Sequence, residues 1–306
     1  MEHISNHPLY KAHTIDSAMN SIWDFYKKRF ITLFLTSFVM GLVLQYLSSL
    51  INISEIQSVT DFNEIMLKLK DYLLPMLLVM VVSLFFTSIL HYYIIYSPLD
   101  AGTNILQSIA RSLRYFIPYI IIMVLLVFAA SFALFLGLLL LVIGVLFAGL
   151  YVMTIYLFIL PVMMVEGPNI GNTISRSLNL SHRNFWSNIG WTAVFVILIL
   201  VITTLLSGVV LLPFTGSFLK VFTNPEEAAS LVEITSKPLY IVLSALLNAI
   251  TFPLLPIYAC ILYFNGRARE EKKSPWGSET DDNNGKVKVE DLYAKPIAED
   301  KEDDNV

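Results

Sequence analysis

The chain has little charge for its length and only one cysteine. Of its 306 residues, 14% are Asp, Glu, Lys or Arg and 56% are hydrophobic, against about 25% and about 45–50% in soluble domains. The single cysteine, Cys260, excludes an intrachain disulfide and lies in an apolar stretch, which predicts a small buried core residue. This composition is typical of a membrane protein.

The longest stretch without a charged residue or histidine covers residues 115–165, which is 51 residues. As one helix it would be roughly 75 Å long, whereas the hydrocarbon core of a bilayer is about 30 Å thick. The stretch must therefore hold two membrane-spanning helices joined by a very short turn. Gly137 is the predicted turn residue, because glycine tolerates a positive φ. These features predict an integral membrane protein.

Six charge-poor windows each exceed the roughly 20 residues that a spanning helix needs. They are continuously apolar, unlike barrel strands, which are about ten residues of alternating polarity. The chain is therefore predicted to be an all-α polytopic membrane protein whose six transmembrane helices form three helical hairpins. The predicted spans are 31–51, 73–96, 116–136, 139–165, 189–213 and 239–264.

Lysine and arginine are distributed unevenly between alternate connections. Twelve lie in one set of connections and four in the other, an alternation that requires six crossings. The richer set is expected in the cytoplasm, which places both termini there and the multi-pass chain in a cytoplasmic (inner) membrane. The twelve are Lys11, Lys27, Lys28, Arg29, Arg111, Arg114, Arg176, Arg183, Arg267, Arg269, Lys272 and Lys273, and the four are Lys68, Lys70, Lys220 and Lys237.

A weak internal repeat precedes spans one, three and five. Residues 15–30, 104–116 and 172–186 each alternate small polar or cationic residues with Ile, Leu, Phe or Trp at helical spacing. This pattern predicts a short cytoplasmic amphipathic helix in the membrane interface before each hairpin, with its cations toward the lipid headgroups.

Composition divides the chain into three parts. Residues 1–30 are predicted to be a cytoplasmic N-terminal arm that contains the first amphipathic helix and no cleavable signal peptide. Residues 31–266 form the six-helix transmembrane domain. Residues 267–306 form a cytoplasmic tail that is first basic and then acidic, with ten acids and four lysines from Glu279 onward. Because the tail has few large apolar residues, it is predicted to be mostly disordered.

The spans lack the residues that chemistry inside a membrane needs. None contains Asp, Glu, Lys or Arg, and the one histidine, His91, is expected in an interfacial aromatic belt. The sequence shows no metal-ligand spacing, nucleophile elbow or glycine-rich phosphate loop. We therefore expect no enzyme activity, no cofactor or metal, and no nucleic-acid partner.

Two groups of residues are candidate sites. Six arginines on the predicted cytoplasmic side are candidates for contact with anionic lipid headgroups, at about 1 kcal/mol per cation, although they would also serve simply to retain topology. The second group lies in span six, where two prolines three residues apart would break or bend the helix, as in several transport sites, or only kink it. The arginines are Arg111, Arg114, Arg176, Arg183, Arg267 and Arg269, and the span-six residues are Asn248, Pro253 and Pro256.

Two segments resemble a known family. They read EGPNIGNTISRSLNL at 166–180, followed by NFWSNIG at 184–190, and YFNGRAREE at 263–271. They resemble the bacterial glycerophosphoryl diester phosphodiesterase membrane-domain family and related six-helix membrane proteins. The resemblance implies a six-helix fold in a bacterial membrane. It does not imply phosphodiester hydrolysis, because no part of this chain fits the catalytic barrel to which some members are fused.

These observations leave two principal hypotheses for the function. The first is a non-enzymatic membrane scaffold or lipid-associated module, with anionic lipid headgroups as partners and a second copy or another membrane protein as a partner left open. The second is a transporter or channel component that moves a neutral or amphipathic solute past the break in span six. An enzyme of phospholipid metabolism follows only from the family name. The most useful observation would be whether a polar cavity reaches the membrane midplane beside Asn248.

The predicted topology gives a direct test in intact cells. Reporter tags at Glu64 and Glu226 should be accessible from outside the cell, and a tag at Arg183 should not be. The protein should also stay with the membrane during an alkaline wash. Accessibility of all three tags from one side, or release by the wash, would contradict the six-span topology.

Overall fold

A computed structural model describes residues 4–51, 61–100, 102–215 and 237–273. The acidic part of the predicted disordered tail lies outside these ranges. Within them the chain forms nine α-helices and one short 3-10 helix, and no strand, which confirms the all-α prediction. The helices are α1 (Ile15–Lys28), α2 (Phe30–Ser49), α3 (Phe62–Tyr96), α4 (Ile105–Leu138), α5 (Leu141–Glu166), α6 (Ile170–Arg183), α7 (Phe185–Leu211), α8 (Pro238–Thr251) and α9 (Leu254–Lys273), and the 3-10 helix is Leu212–Phe214.

The described residues contain six helical segments that are long and apolar enough to cross a membrane. They are α2, α3, α4, α5, α7, and α8 with α9 as one interrupted segment. The chain is therefore a multi-pass membrane protein. α3 and α4 are 35 and 34 residues long, so both extend well beyond the predicted spans.

Of the three amphipathic helices predicted before spans one, three and five, two are separate helices in the structure and one is continuous with its span. α1 and α6 are separate helices, each followed by a residue with non-helical backbone angles: Arg29 at φ −121°, ψ 21° and Asn184 at φ −128°, ψ 53°. The expectation of a separate helix is wrong before span three, because α4 continues without interruption from residue 105 through Pro118. Tyr119 stands at the corresponding position, 15 residues after the N-cap residue as Arg29 and Asn184 are, and it keeps the helical conformation.

The two separate helices bury one face each. α1 buries apolar and aromatic side chains, including Ile22 and Phe25. α6 instead buries small hydroxyl residues four apart, Thr173, Ser177 and Ser181, and it packs against α4, α5 and α7. Small side chains at this spacing let helix backbones approach closely. Both helices therefore form part of the packed bundle.

Parts of α3, α5 and α9 are buried on every side, because residues 88–95, 157–164 and 257–265 are all buried. Within the described chain α2, α3, α4, α5, α7 and α8 form a closed ring in which each helix packs against the next. Residues 257–265 of α9 are each less than 5% exposed. Nine consecutive residues cover every face of a helix with 3.6 residues per turn, so protein surrounds this part of α9 on all sides. A helix that is buried all round is a core helix.

The turn between α4 and α5 differs from the prediction for Gly137. The residue with a positive φ is Leu141, at 59°, and Gly137 is the last but one residue of α4. A Cβ atom at Gly137 would lie only 2.7 Å from the carbonyl oxygen of Gly144. Glycine at this position therefore permits the close approach of the two helices rather than the turn conformation.

The N-terminal arm is folded against one end of the bundle, which also carries α1 and α6 and which we call the base. The Nε2 of His7 lies 3.1 Å from the carbonyl oxygen of Ile94, and its ring lies 4.7 Å from that of Phe264. The backbone N–H of His13 donates to Oδ1 of Asn265 at 2.9 Å. His7 is 2% exposed, so it is a core residue of the base.

Burial of the arm gives a pH-dependent stability. Desolvation lowers the pKa of His7 to about 4 and lowers that of His13, against about 6.5 for an unfolded histidine. The unfolded chain therefore takes up protons between pH 6.5 and 4 that the folded arm does not. Stability should be complete above pH 6.5 and fall as the pH decreases through this window, by up to about 3 kcal/mol for His7 at pH 4.

The measurement is the unfolding temperature of the purified protein between pH 7.5 and 4.5. His7→Gln should flatten this pH dependence. A pH dependence as steep in this variant as in the unaltered protein would contradict the assignment to His7.

Candidate intramembrane cavity and charged base

A large cavity lies within the ring of helices, on the side of α9 that faces away from the base. Its volume is about 690 Å³, within the range of about 300–1,000 Å³ for small-molecule sites. α2, α3, α5, α7, α8 and α9 all contribute to its wall. The polar residues of the wall are Ser83, Thr87, Tyr156, Thr203, Thr204, Ser207, Asn248 and Thr251, and the apolar ones include Met40, Met153, Phe195 and Leu255.

The structure places the span-six candidates at this cavity. α8 ends at Thr251 and α9 begins at Leu254, so Pro253 lies in the interruption between them. Asn248 and Pro256 line the cavity on either side of the interruption. The backbone N–H of Phe252 still donates to the carbonyl oxygen of Asn248 at 2.9 Å. Asn248 and Pro256 therefore line one cavity, and Pro253 lies in the helix interruption between them.

Several polar side chains of the wall have no hydrogen-bond partner among the described residues. The hydroxyls of Thr87 and Thr251 donate to backbone carbonyls one turn earlier, at 2.8 and 3.2 Å. In the part of the chain that the structure describes, the side chains of Asn248, Thr203 and Thr204 make no such bond. A primary amide in an apolar environment is costly unless it is hydrogen-bonded. The Asn248 amide is therefore available to a molecule in the cavity.

Packed side chains end the cavity toward the base. Phe195 of the wall stacks on Tyr258 of α9, with ring centroids 4.0 Å apart and planes 9° from parallel. Leu254 and Tyr258 are both fully buried. Nearby, the Thr154 hydroxyl donates to that of Thr192 at 3.2 Å and joins α5 to α7. The buried part of α9 thus helps to close this end of the cavity.

Charged residues meet at the base around Glu166, the last residue of α5. Arg176 Nε donates to both carboxylate oxygens, at 3.2 and 3.1 Å. Arg267 and the Tyr263 hydroxyl donate to Oε1 at 3.2 and 3.0 Å. The cluster joins α5, α6 and α9, and it unites the first residue of one resemblance segment with two residues of the other. A smaller pocket of about 320 Å³ lies beside Glu166 and Arg176.

The remaining candidate arginines have different surroundings. Arg269 donates to Asn265 Oδ1 at 3.1 Å and to the carbonyl oxygen of His13 at 2.9 Å. Arg111 lies 3.9 Å from Asp100 in an exposed pair. Arg114 and Arg183 are exposed.

Sequence reasoning did not identify Glu166 as the partner of Arg176 and Arg267. An acid at the end of a charge-free span was the available signal. His91 also differs from expectation, since it is buried and its Nδ1 lies 2.9 Å from the carbonyl oxygen of Thr87.

Comparison with known proteins gives no relative. No family model, no curated protein and no solved structure matches the chain. Among the described residues, no group of three or more His, Cys, Asp or Glu could hold a metal ion. The cavity and the Glu166 cluster are therefore the two features from which a function can be inferred.

The Glu166 cluster should contribute strongly to stability. Glu166→Gln removes the charge that two arginines and a tyrosine share, and it should cost about 1–3 kcal/mol. The measurement is the unfolding temperature of the purified protein in detergent. Arg111→Gln, which removes a charge from an exposed pair, should change the unfolding temperature little, because water and salt screen exposed charges. Equal small losses would contradict a stabilising role for the cluster.

Proposed function

We propose that this protein is a non-enzymatic, lipid-associated membrane protein that binds one neutral amphipathic molecule in its cavity. The observation that supports this most directly is Asn248, whose amide lies in the cavity wall without a hydrogen-bond partner in the described chain. The surrounding wall is mostly apolar. A ligand with a hydroxyl, carbonyl or amide group could hydrogen-bond to the Asn248 amide, and its apolar remainder could pack against the apolar part of the wall.

The charge of the wall favours a neutral ligand. Every described residue that lines the cavity is uncharged. A charged ligand in a membrane interior needs an opposite charge or strong coordination, and without them it is expensive to bury. A wall of hydroxyls and one amide can instead donate to and accept from an uncharged polar head. These groups support a ligand with a small polar end.

The location follows from the distribution of basic residues and from the family resemblance. We propose a bacterial cytoplasmic membrane with the base toward the cytoplasm, so that both termini lie inside. α1 and α6 would then lie at the headgroup level. Arg111, Arg114 and Arg183 have exposed side chains and are the proposed contacts for anionic lipid, and Arg176, Arg267 and Arg269 lie in the hydrogen-bonded clusters of the base.

Transport of a neutral or amphipathic solute is the second candidate function. It is favoured by the interruption of span six at Pro253, directly beside the cavity. Broken helices of this kind border the substrate sites of several transporters. Flux of a solute through reconstituted liposomes would support transport, whereas saturable binding without flux supports the lipid-binding proposal.

Removal of the Asn248 amide should weaken binding. Asn248→Leu keeps the side-chain size and loses one hydrogen bond, so affinity for a long-chain alcohol with a photoreactive diazirine should fall about tenfold. The measurement is equilibrium photo-crosslinking in liposomes against competing unlabelled alcohol. Ser131→Leu, a polar-to-leucine change on the exposed face of α4, is the control. Equal affinity of the two variants would contradict the proposed site.

A further inference from the structure

We infer that the cavity holds its ligand in one orientation, with a head that carries two or more hydroxyl groups directed away from the base and an apolar chain directed toward α9. The inference rests on the proposed function, because it gives the ligand of the same cavity a direction and a chemical class. It is carried by the order of polar and apolar side chains along three walls of the cavity.

Two ring contacts fix how α7 lies along span six. Toward the base Phe195 stacks on Tyr258, with ring centroids 4.0 Å apart, and just beyond the other end of α7 the ring of Phe214 lies 6.0 Å from that of Tyr240. The two contacts are 19 residues apart on one segment and 18 residues apart on the other, so the segments run antiparallel, side by side. Residues equally far from the first contact therefore lie at about the same height.

The polar residues of these two walls lie at one height. On α7, Thr203 and Thr204 are eight and nine residues beyond the stacked phenylalanine. On α8, Thr251 and Asn248 are seven and ten residues before the stacked tyrosine. At about 1.5 Å per residue, all four lie about 10–15 Å from the ring stack. They form a polar band across two neighbouring walls.

The wall between the ring stack and the polar band is apolar on both segments. Each of its residues is nearer in sequence to the stacked ring of its own segment than the band is. The half of the cavity toward the base is therefore suited to an alkyl chain. These residues are Val196, Ile199, Leu200, Phe252, Leu255 and Pro256.

α3 shows the same order along a third wall. It ends near the base, where the carbonyl oxygen of Ile94 lies against His7. Of its residues in the cavity wall, Leu90 is nearest to that end, and Thr87 and Ser83 follow at increasing distance. Three walls thus change from apolar to polar in one direction, away from the base.

The hydroxyls of Thr203 and Thr204 are not bonded to their own helix. A threonine hydroxyl within a helix commonly bonds to the carbonyl oxygen one turn earlier, and those of Thr36, Thr87 and Thr154 do so at 2.8 Å. In the described part of the chain the two threonines of the polar band make no such bond. Their hydroxyls are therefore available to a ligand together with the amide on α8.

The polar band determines the class of head group. A hydroxyl donates one hydrogen and accepts at two lone pairs, and an amide donates two hydrogens and accepts at its oxygen. A single hydroxyl on a ligand can engage the amide of Asn248, whereas two neighbouring hydroxyls can engage α7 and α8 at once. The expected ligand is thus an uncharged single-chain polyol amphiphile, such as a monoacyl ester of glycerol, in a cavity of about 690 Å³.

Photolabelling of the unaltered protein tests the orientation. Two monoacyl glycerol probes are used in liposomes, one with a diazirine at the chain end and one with a diazirine beside the glycerol. Mass spectrometry of the crosslinked peptides should find the chain-end probe near Phe195 and Leu255, and the head probe near Thr203 and Asn248. Saturable binding with the reversed labelling, or with the same labelling by both probes, would overturn the inference and leave the proposed function standing.

A double substitution tests the head class. Thr203→Val with Thr204→Val removes two hydroxyls at nearly constant size, so affinity for the glycerol ester should fall about fivefold, as expected for one lost hydrogen bond. Affinity for an alcohol of equal chain length should change less than twofold. The matched control is Thr36→Val, which removes a hydroxyl of α2 outside the cavity wall.

The outcomes separate the inference from the proposed function. Equal losses for the two ligands, or a loss for the ester no greater than in Thr36→Val, would overturn the polyol head even if Asn248→Leu weakens binding as expected. Absence of saturable binding of either ligand by the unaltered protein would overturn the proposed function and the inference together.

Discussion

Burial of residues 257–265 of α9 is the interaction on which the other parts of the structure depend. The arm is anchored to this helix through Asn265 and Phe264, and α5 through the bond of Tyr263 to Glu166. α7 is anchored through the stack of Phe195 on Tyr258. Since lipid chains are as apolar as the side chains, helix association in a membrane relies on packing and hydrogen bonds. A buried helix gives the elements around it a surface for both.

The interruption of span six explains how its two helices come to lie in different parts of the bundle. α8 belongs to the ring and approaches α2 so closely that a Cβ atom at Gly41 would lie 3.1 Å from the Cα of Ala245. α9 instead enters the buried core, to which α3 and α5 also contribute fully buried segments. Pro253 and Pro256 have no N–H to continue the helical hydrogen bonds, so the chain can change course between these positions. The cavity lies beside this interruption, where span six changes from α8 to α9.

The six spans could be predicted because long uncharged runs need only local information. Asn248 could be proposed as a site for a similar reason, since an amide among apolar residues precedes two prolines. The rest depends on contacts that are distant in sequence. Arg267 binds Glu166 across 101 residues, and no local pattern distinguishes it from Arg111 at the surface. Thr203 and Thr204 look like ordinary packing residues of α7 until the fold brings them to the cavity of Asn248.

The separation of charged and uncharged polar groups along the bundle follows from the cost of charge in lipid. Glu166 and its two arginines lie at the end of α5, where each side chain keeps about a fifth to a quarter of its surface exposed, so water can share in solvating them. Farther from the base, the cavity wall contains hydroxyls and an amide, which need hydrogen-bond partners but no counter-ion. A neutral head can supply those partners and an alkyl chain can fill the apolar remainder. A charged head group would have no opposite charge in the described wall to pair with. The wall therefore favours a neutral amphipathic ligand over a charged one.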